Sequence, residues 1–193
     1  MRKPNPSSQA AQRAHLIDAA KRCFSRSGFD GTSTDTVRLE AKTSSGKLFH
    51  YFPNKQALIE AVVADNTSGT IKWLNALKGR QDSGVALQQL LSDVVAAAAE
   101  PESRRLILEI SAATARDATI AKLSADADRA MIDRQDRPFA LQRDEMIAVL
   151  STWIDGVFSR AAADPFFDPQ MMTASINNLL AMLRNNPKGH DDV

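Results

Sequence analysis

The sequence predicts an all-α protein, and three observations carry that reading. Glycine and proline number only eight each in 193 residues, too few for a chain built of turns and short strands. Ala, Leu, Ile and Met dominate the apolar share, while aromatics are few, a balance that favours helices. Apolar residues also recur three and four apart in one segment after another, the spacing that places them on one helix face. The length allows one large domain, or a small one joined to a medium one, with ample core for either. No apolar run approaches the ~20 residues of a membrane span. Met1-Arg2-Lys3-Pro4 has no apolar region behind it, so it is not a secretory signal. A soluble, cytoplasmic chain is expected.

The first eight residues hold two prolines, an asparagine and two serines and are expected to be disordered, with Arg2 and Lys3 able to reach a minor groove. Helix 1 is expected over about residues 8–27. Leu16, Ile17, Ala20, Cys23 and Phe24 form its apolar stripe, and Gly28 stops it. Arg13, Lys21 and Arg26 decorate the rest, and His15 is read as a solvated position. Cys23, the only cysteine, lies on the buried face and is read as a small core residue.

Residues 32–55 organise the chain. Thr32 and Ser33 are good N-cap residues, and Asp35 adds negative charge to the first turn. Val37 and Ala41 share one face of a short helix. Leu48 and Phe52 repeat that spacing in a second one, capped by Ser44 or Ser45. The second helix is about two turns long and needs tertiary packing to exist. Its other positions, Ser45, Lys47, His50 and Tyr51, can hydrogen-bond phosphates and base edges. Two short helices at a tight turn make a helix-turn-helix, which places its second helix in the DNA major groove. Gly46-Lys47 is not a phosphate-binding loop, because Leu48 follows it and no glycine stands five residues upstream.

On these residues the chain resembles the TetR family of bacterial transcriptional regulators. The pattern Thr-Ser, periodic helix, turn, Gly-x-Leu-[Tyr/Phe]-x-x-Phe-x-x-Lys reads here as Thr32-Ser33, Val37, Ala41 and Gly46-Lys47-Leu48-Phe49-His50-Tyr51-Phe52-Pro53-Asn54-Lys55. Ala19-Ala20, Phe24 and Gly28-Phe29 match the family's first helix and its end. There are departures: Lys42 stands at the usual turn glycine, Thr34 and Thr43 replace apolar residues, and Arg38 replaces a small one. The resemblance implies DNA contacts from Thr32, Ser33, Ser45, Lys47, Phe49, His50 and Lys55, with Thr32, Phe49, His50 and Lys55 chiefly on the backbone. Ser44 and Tyr51 complete the candidate DNA-binding set.

From Asn54 a long helix runs through Ile59, Val62, Val63, Ile71, Trp73 and Leu74 towards Gly79 and is the natural lever into a second domain. Further helices follow: one with Val85, Leu87, Leu90, Leu91, Val94 and Val95, and one with Leu106, Ile107 and Ile110. A polar, surface-lying segment carries Ile120, Leu123, Ala127 and Met131. Its aspartates lack the glycine and terminal glutamate of a calcium loop, so no metal is expected. Two final helices, over about residues 138–163 and from Asp168-Pro169 onwards, have wide apolar stripes. Ile147, Leu150, Ile154, Val157, Phe158, Ile176, Leu179, Leu180 and Leu183 are the candidate dimer interface, pairing two copies as a four-helix bundle. By the resemblance the second domain encloses a ligand pocket, with Trp73, Ile110, Thr114, Met131, Trp153 and Phe158 as candidate wall. That wall suits a mostly apolar effector.

Charge separates the halves. Residues 1–55 carry ten Lys and Arg against four Asp and Glu, a net +6; the remainder carries fourteen against nineteen, a net −5. A positive head attracts a polyanion. Three histidines and one cysteine offer no catalytic constellation, and no cofactor loop exists, so an enzyme is not expected. The expectation is an all-α homodimer with a three-helix DNA-binding domain at 1–55, an effector-binding and dimerisation domain at 56–186, and a disordered tail at 187–193. Its partners are a double-stranded DNA operator and a small-molecule effector, with no membrane. The effect is repression relieved by the ligand, the alternative being a constitutive architectural binder or an activator.

Overall fold

The structure, a computed structural model, describes residues 6–77, 83–131 and 143–185, and side chains for residues 7–66, 85, 87–126 and 148–182. Among the described residues there are nine helices and no strand. The N-terminal arm, the tail at 187–193, and the side chains of Ile71, Trp73, Leu74, Ala127, Met131, Ile147 and Leu183 lie outside the described set.

Helix α1, Pro6–Gly31, runs further than expected, because helical turns resume after a break at Gly28. Gly28 has φ 71 and ψ 174, a conformation open only to glycine. Helix α2, Thr34–Glu40, is capped by Ser33, whose side chain accepts the Thr36 N–H. It ends by a left-handed residue, Lys42, at φ 49. The N–H of Thr43 reaches the carbonyl of Arg38 and that of Lys42 reaches Leu39, the paired bonds of a Schellman ending. Lysine thus holds a position where glycine costs less, the departure visible in the sequence. Helix α3, Ser45–Tyr51, is capped by Ser44, which accepts the Lys47 N–H.

Helix α4, Lys55–Leu77, starts at the Asn54 cap, whose Oδ1 accepts the Ala57 N–H. Helix α5 spans Ser83–Ala99 and α6 spans Pro101–Thr114, opened by proline at its first turn. Arg104 reaches back to the last carbonyls of α5, Ala98 and Ala99. Helix α7, Ala118–Met131, is capped by Asp117. Helices α8, Arg143–Ala163, and α9, Pro169–Asn185, are separated by a short turn, and Asp168 caps the second.

Two apolar clusters hold these helices. The first joins Leu16, Ile17, Ala20, Cys23 and Phe24 of α1 to Val37 and Ala41, Leu48 and Phe52, and Leu58, Val62 and Val63 of α4. It also takes in Leu106, Ile110 and Ala113 of α6 and Ile120 of α7. The second packs Leu87, Leu90, Leu91, Val95 and Ala98 of α5 against Val157, Phe158, Ala161 and Ile176 of α8 and α9. Helix α6 serves both, since Ile107 and Leu108 turn to the second cluster.

This arrangement divides the residues of the expected dimer face. Val157, Phe158 and Ile176 are buried in their own chain's core and present no free surface. Leu150, Ile154 and Leu180 are half-buried against that core. Leu179 stays 58% exposed and Met182 69%. The expected pocket wall also divides. Ile110 belongs to the first cluster, whereas Phe158 and Trp153 belong to the second. Thr114 is half-buried, bonded to the Ile110 carbonyl and to Ser124 Oγ.

Candidate nucleic-acid interface

Helix α3 is too short to persist alone, so packing must hold it. Leu48 and Phe52, four apart, bury their side chains in the first cluster, each worth about 2 kcal/mol in apolar burial. That anchoring leaves Ser45, Gly46, Lys47, Phe49 and His50 exposed on the other face. A Cβ at Gly46 would meet nothing within 4 Å. Crowding by α2 therefore does not require glycine there, and the space lies open to a partner. Phe49 is 47% exposed, a large aromatic in a polar setting. Tyr51 is half-buried against the core, its ring edge-on to His50 at 5.1 Å between centroids. Packing accounts for Tyr51, and His50 points outward.

The two caps stand beside this face. Ser33 Oγ accepts the Thr36 N–H at 3.0 Å and meets the Thr36 hydroxyl at 2.8 Å. Ser44 Oγ accepts the Lys47 N–H at 3.3 Å. Both serines are exposed. Thr32 is different, because its side chain does not face outward with them. It is only 2% exposed, with its hydroxyl directed to the carbonyls of Gly28 at 2.8 Å and Cys23 at 3.2 Å. It ties the end of α1 together instead of facing outward. Lys55 is half-buried, and its Nζ donates to the Asp30 carbonyl at 3.1 Å, joining the start of α4 to the end of α1.

Ion pairing redistributes the head's positive charge. Arg22 and Arg26 both bond Glu40, at 2.7 and 2.6 Å, and hold its carboxyl below the usual range. Lys21 pairs with Asp65 at 2.6 Å and Arg38 with Asp35 at 2.6 Å. Among the described residues, Arg13, Lys42, Lys47 and Lys55 form no ion pair. Lys47 is thus an exposed, uncompensated cation on α3. Burial pushes the Cys23 thiol up, away from thiolate chemistry, which fits a core residue.

Sequence reasoning missed three polar ties. His15 Nε2 donates to the Ala41 carbonyl at 3.0 Å and pins α1 to the turn, so it is not merely solvated. Glu109 Oε1 accepts the Phe29 N–H at 2.7 Å, just past the Gly28 break. Gln56 donates to Asp117 at 3.0 Å, linking α4 to α7. Each joins residues far apart in sequence, so no local spacing could reveal it. Among the described residues no group of three His, Cys, Asp or Glu side chains could hold a metal ion, and no helix is long and apolar enough to cross a membrane.

The comparisons agree with this geometry. A family model described as "Bacterial regulatory proteins, tetR family" matches residues 16–62, from the α1 core to α4. The chain is 27% identical over 179 residues to HTH-type transcriptional repressor Rv1474c of Mycobacterium tuberculosis, covering 87% of this chain and 90% of that protein. A TetR-family regulator from Mesorhizobium loti shares the fold with a TM-score of 0.69 at 18% identity, over 94% of this chain and 98% of that one. FadR from Bacillus subtilis, solved with stearoyl-CoA, does so with a TM-score of 0.66 at 16% identity, over 86% and 96%. A helix-turn-helix with its apolar face anchored and its polar face bare, matched by this family model over residues 16–62, is the DNA-binding domain of the TetR family of transcriptional regulators.

Proposed function

We propose that the protein is a homodimeric repressor that leaves a palindromic operator when a small, mostly apolar molecule binds its C-terminal half. The observation that carries the reading head is the division of α3 into a buried Leu48 and an exposed, unpaired Lys47 one residue away. Ser33, Ser44, Ser45, Lys47, Phe49 and His50 form the contact surface, with Lys47 reading a base edge and the others chiefly positioning the helix. Lys55 joins them by giving up the Asp30 carbonyl for a phosphate at the start of α4. The division at residue 55 describes the chain's functional halves, and α4 links them.

Dimerisation is supported by the large apolar side chains left bare on the last two helices and their turn. Phe166 is 86% exposed, and Val149, Met171, Leu179 and Met182 are exposed with it. Leu150, Ile154 and Leu180 border that surface. The effector site is best supported beside the second cluster, where Trp153 of α8 is half-buried along with Val94 and Ile107. A solved relative of the fold holding stearoyl-CoA supports a ligand-bound state. A ligand that prefers one spacing of the two heads lowers DNA affinity by linkage.

Fluorescence anisotropy on duplexes from the DNA flanking the gene, with nonspecific competitor and two salt concentrations, tests this. Competitor-resistant binding weakened roughly tenfold or more by Lys47→Ala is expected. Binding that vanishes with salt and ignores Lys47→Ala overturns a sequence-reading head. Apolar molecules titrated against tryptophan fluorescence, then added to the DNA complex, test release. Complexes that persist throughout make the protein a constitutive binder.

A further inference from the structure

Four lysine and arginine side chains project from the described length of α1, and three are already engaged. Lys21 meets Asp65, while Arg22 and Arg26 share Glu40. Arg13 is the exception. It is exposed, forms no ion pair among the described residues, and holds its guanidinium carbon 5.3 Å from the centre of the Phe52 ring. Phe52 is the C-cap of α3 and is buried in the first cluster. A ring fixed by the core therefore places an uncompensated cation beside the end of α3. Exposed Pro53 and Asn54 follow at once, leading into α4.

The course of α1 supports the same conclusion. Its far end is tied to α6 at Phe29, and residue 13 lies about 22 Å along the axis from Gly28. One end of α1 thus serves the C-terminal half and the other flanks the helix-turn-helix. Ordering a long arginine side chain normally costs entropy. Stacking on a fixed ring restricts it beforehand, and a guanidinium fork suits phosphate oxygens.

We propose that Arg13 grips a phosphate of the DNA backbone beside the groove that α3 enters. The proposal rests on the DNA-binding reading above. It is tested by measuring affinity against salt for wild type, Arg13→Gln and Arg13→Lys on the best-binding duplex. Arg13→Gln is expected to lose about five- to tenfold in affinity near 0.1 M salt and to flatten the log–log salt slope by about 0.9, the share of one phosphate. Arg13→Lys keeps the slope. An unchanged slope in Arg13→Gln, even with a lowered melting temperature, overturns the proposal and leaves Arg13 a packing residue. Wild-type protein that binds no duplex overturns the DNA-binding reading and the proposal with it.

Discussion

At Gly28 two requirements coincide. Its φ of 71 with ψ 174 excludes side chains, and a Cβ would stand 3.2 Å from Glu109 Oε2. The same carboxylate accepts the Phe29 N–H. Gly28→Ala is therefore expected to cost about 2–3 kcal/mol, read as a lower denaturation midpoint. Glu40 offers a second residue-scale test. Bonds from Arg22 and then Arg26 depress its folded pKa, so its contribution is present above the ordinary glutamate value of 4.5 and lost as pH falls through the lower folded value. A melting profile against pH should show that acid loss, and Glu40→Gln should remove part of it.

Among elements, α9 makes the sharpest prediction. If its bare face pairs two copies, Leu179→Glu with Met182→Glu should shift sedimentation from dimer to monomer at unchanged helicity, because neither side chain supports the chain's own core. Helix α3 was readable from sequence because four-residue spacing separates Leu48 and Phe52 from the polar positions, and the Ser33 and Ser44 caps sit where local chemistry demands them. The resumption of α1 past Gly28 was not readable, since it depends on a carboxylate 80 residues away. Thr32 deceived for a related reason. A threonine before a helix suggests a cap, yet the adjacent Ser33 takes that role and Thr32 turns inward to the Gly28 carbonyl. Wide stripes on α8 and α9 were legible, but not which of their residues would be used up internally; Phe158 is consumed by α5.

For the whole molecule, ion pairing decides where the net +6 of the first 55 residues is felt: Lys21, Arg22, Arg26 and Arg38 are paired with carboxylates, one of which, Asp65, lies beyond those residues. The effective charge is concentrated near α3, where it is useful. The apolar cores also ignore the boundary that charge suggests: Leu106, Ile110, Ala113 and Ile120 belong to the same cluster as the helix-turn-helix. This sharing of α6 and α7 bears on modular engineering. A chimaera cut at residue 55, grafting this reading head onto a foreign sensor, would strip α4, α6 and α7 from α1 and leave sticky surface on both pieces. A transplant that respects the packing must carry α4, α6 and the first turns of α7 along with the head. Specificity in this protein is therefore portable only as a discontinuous unit.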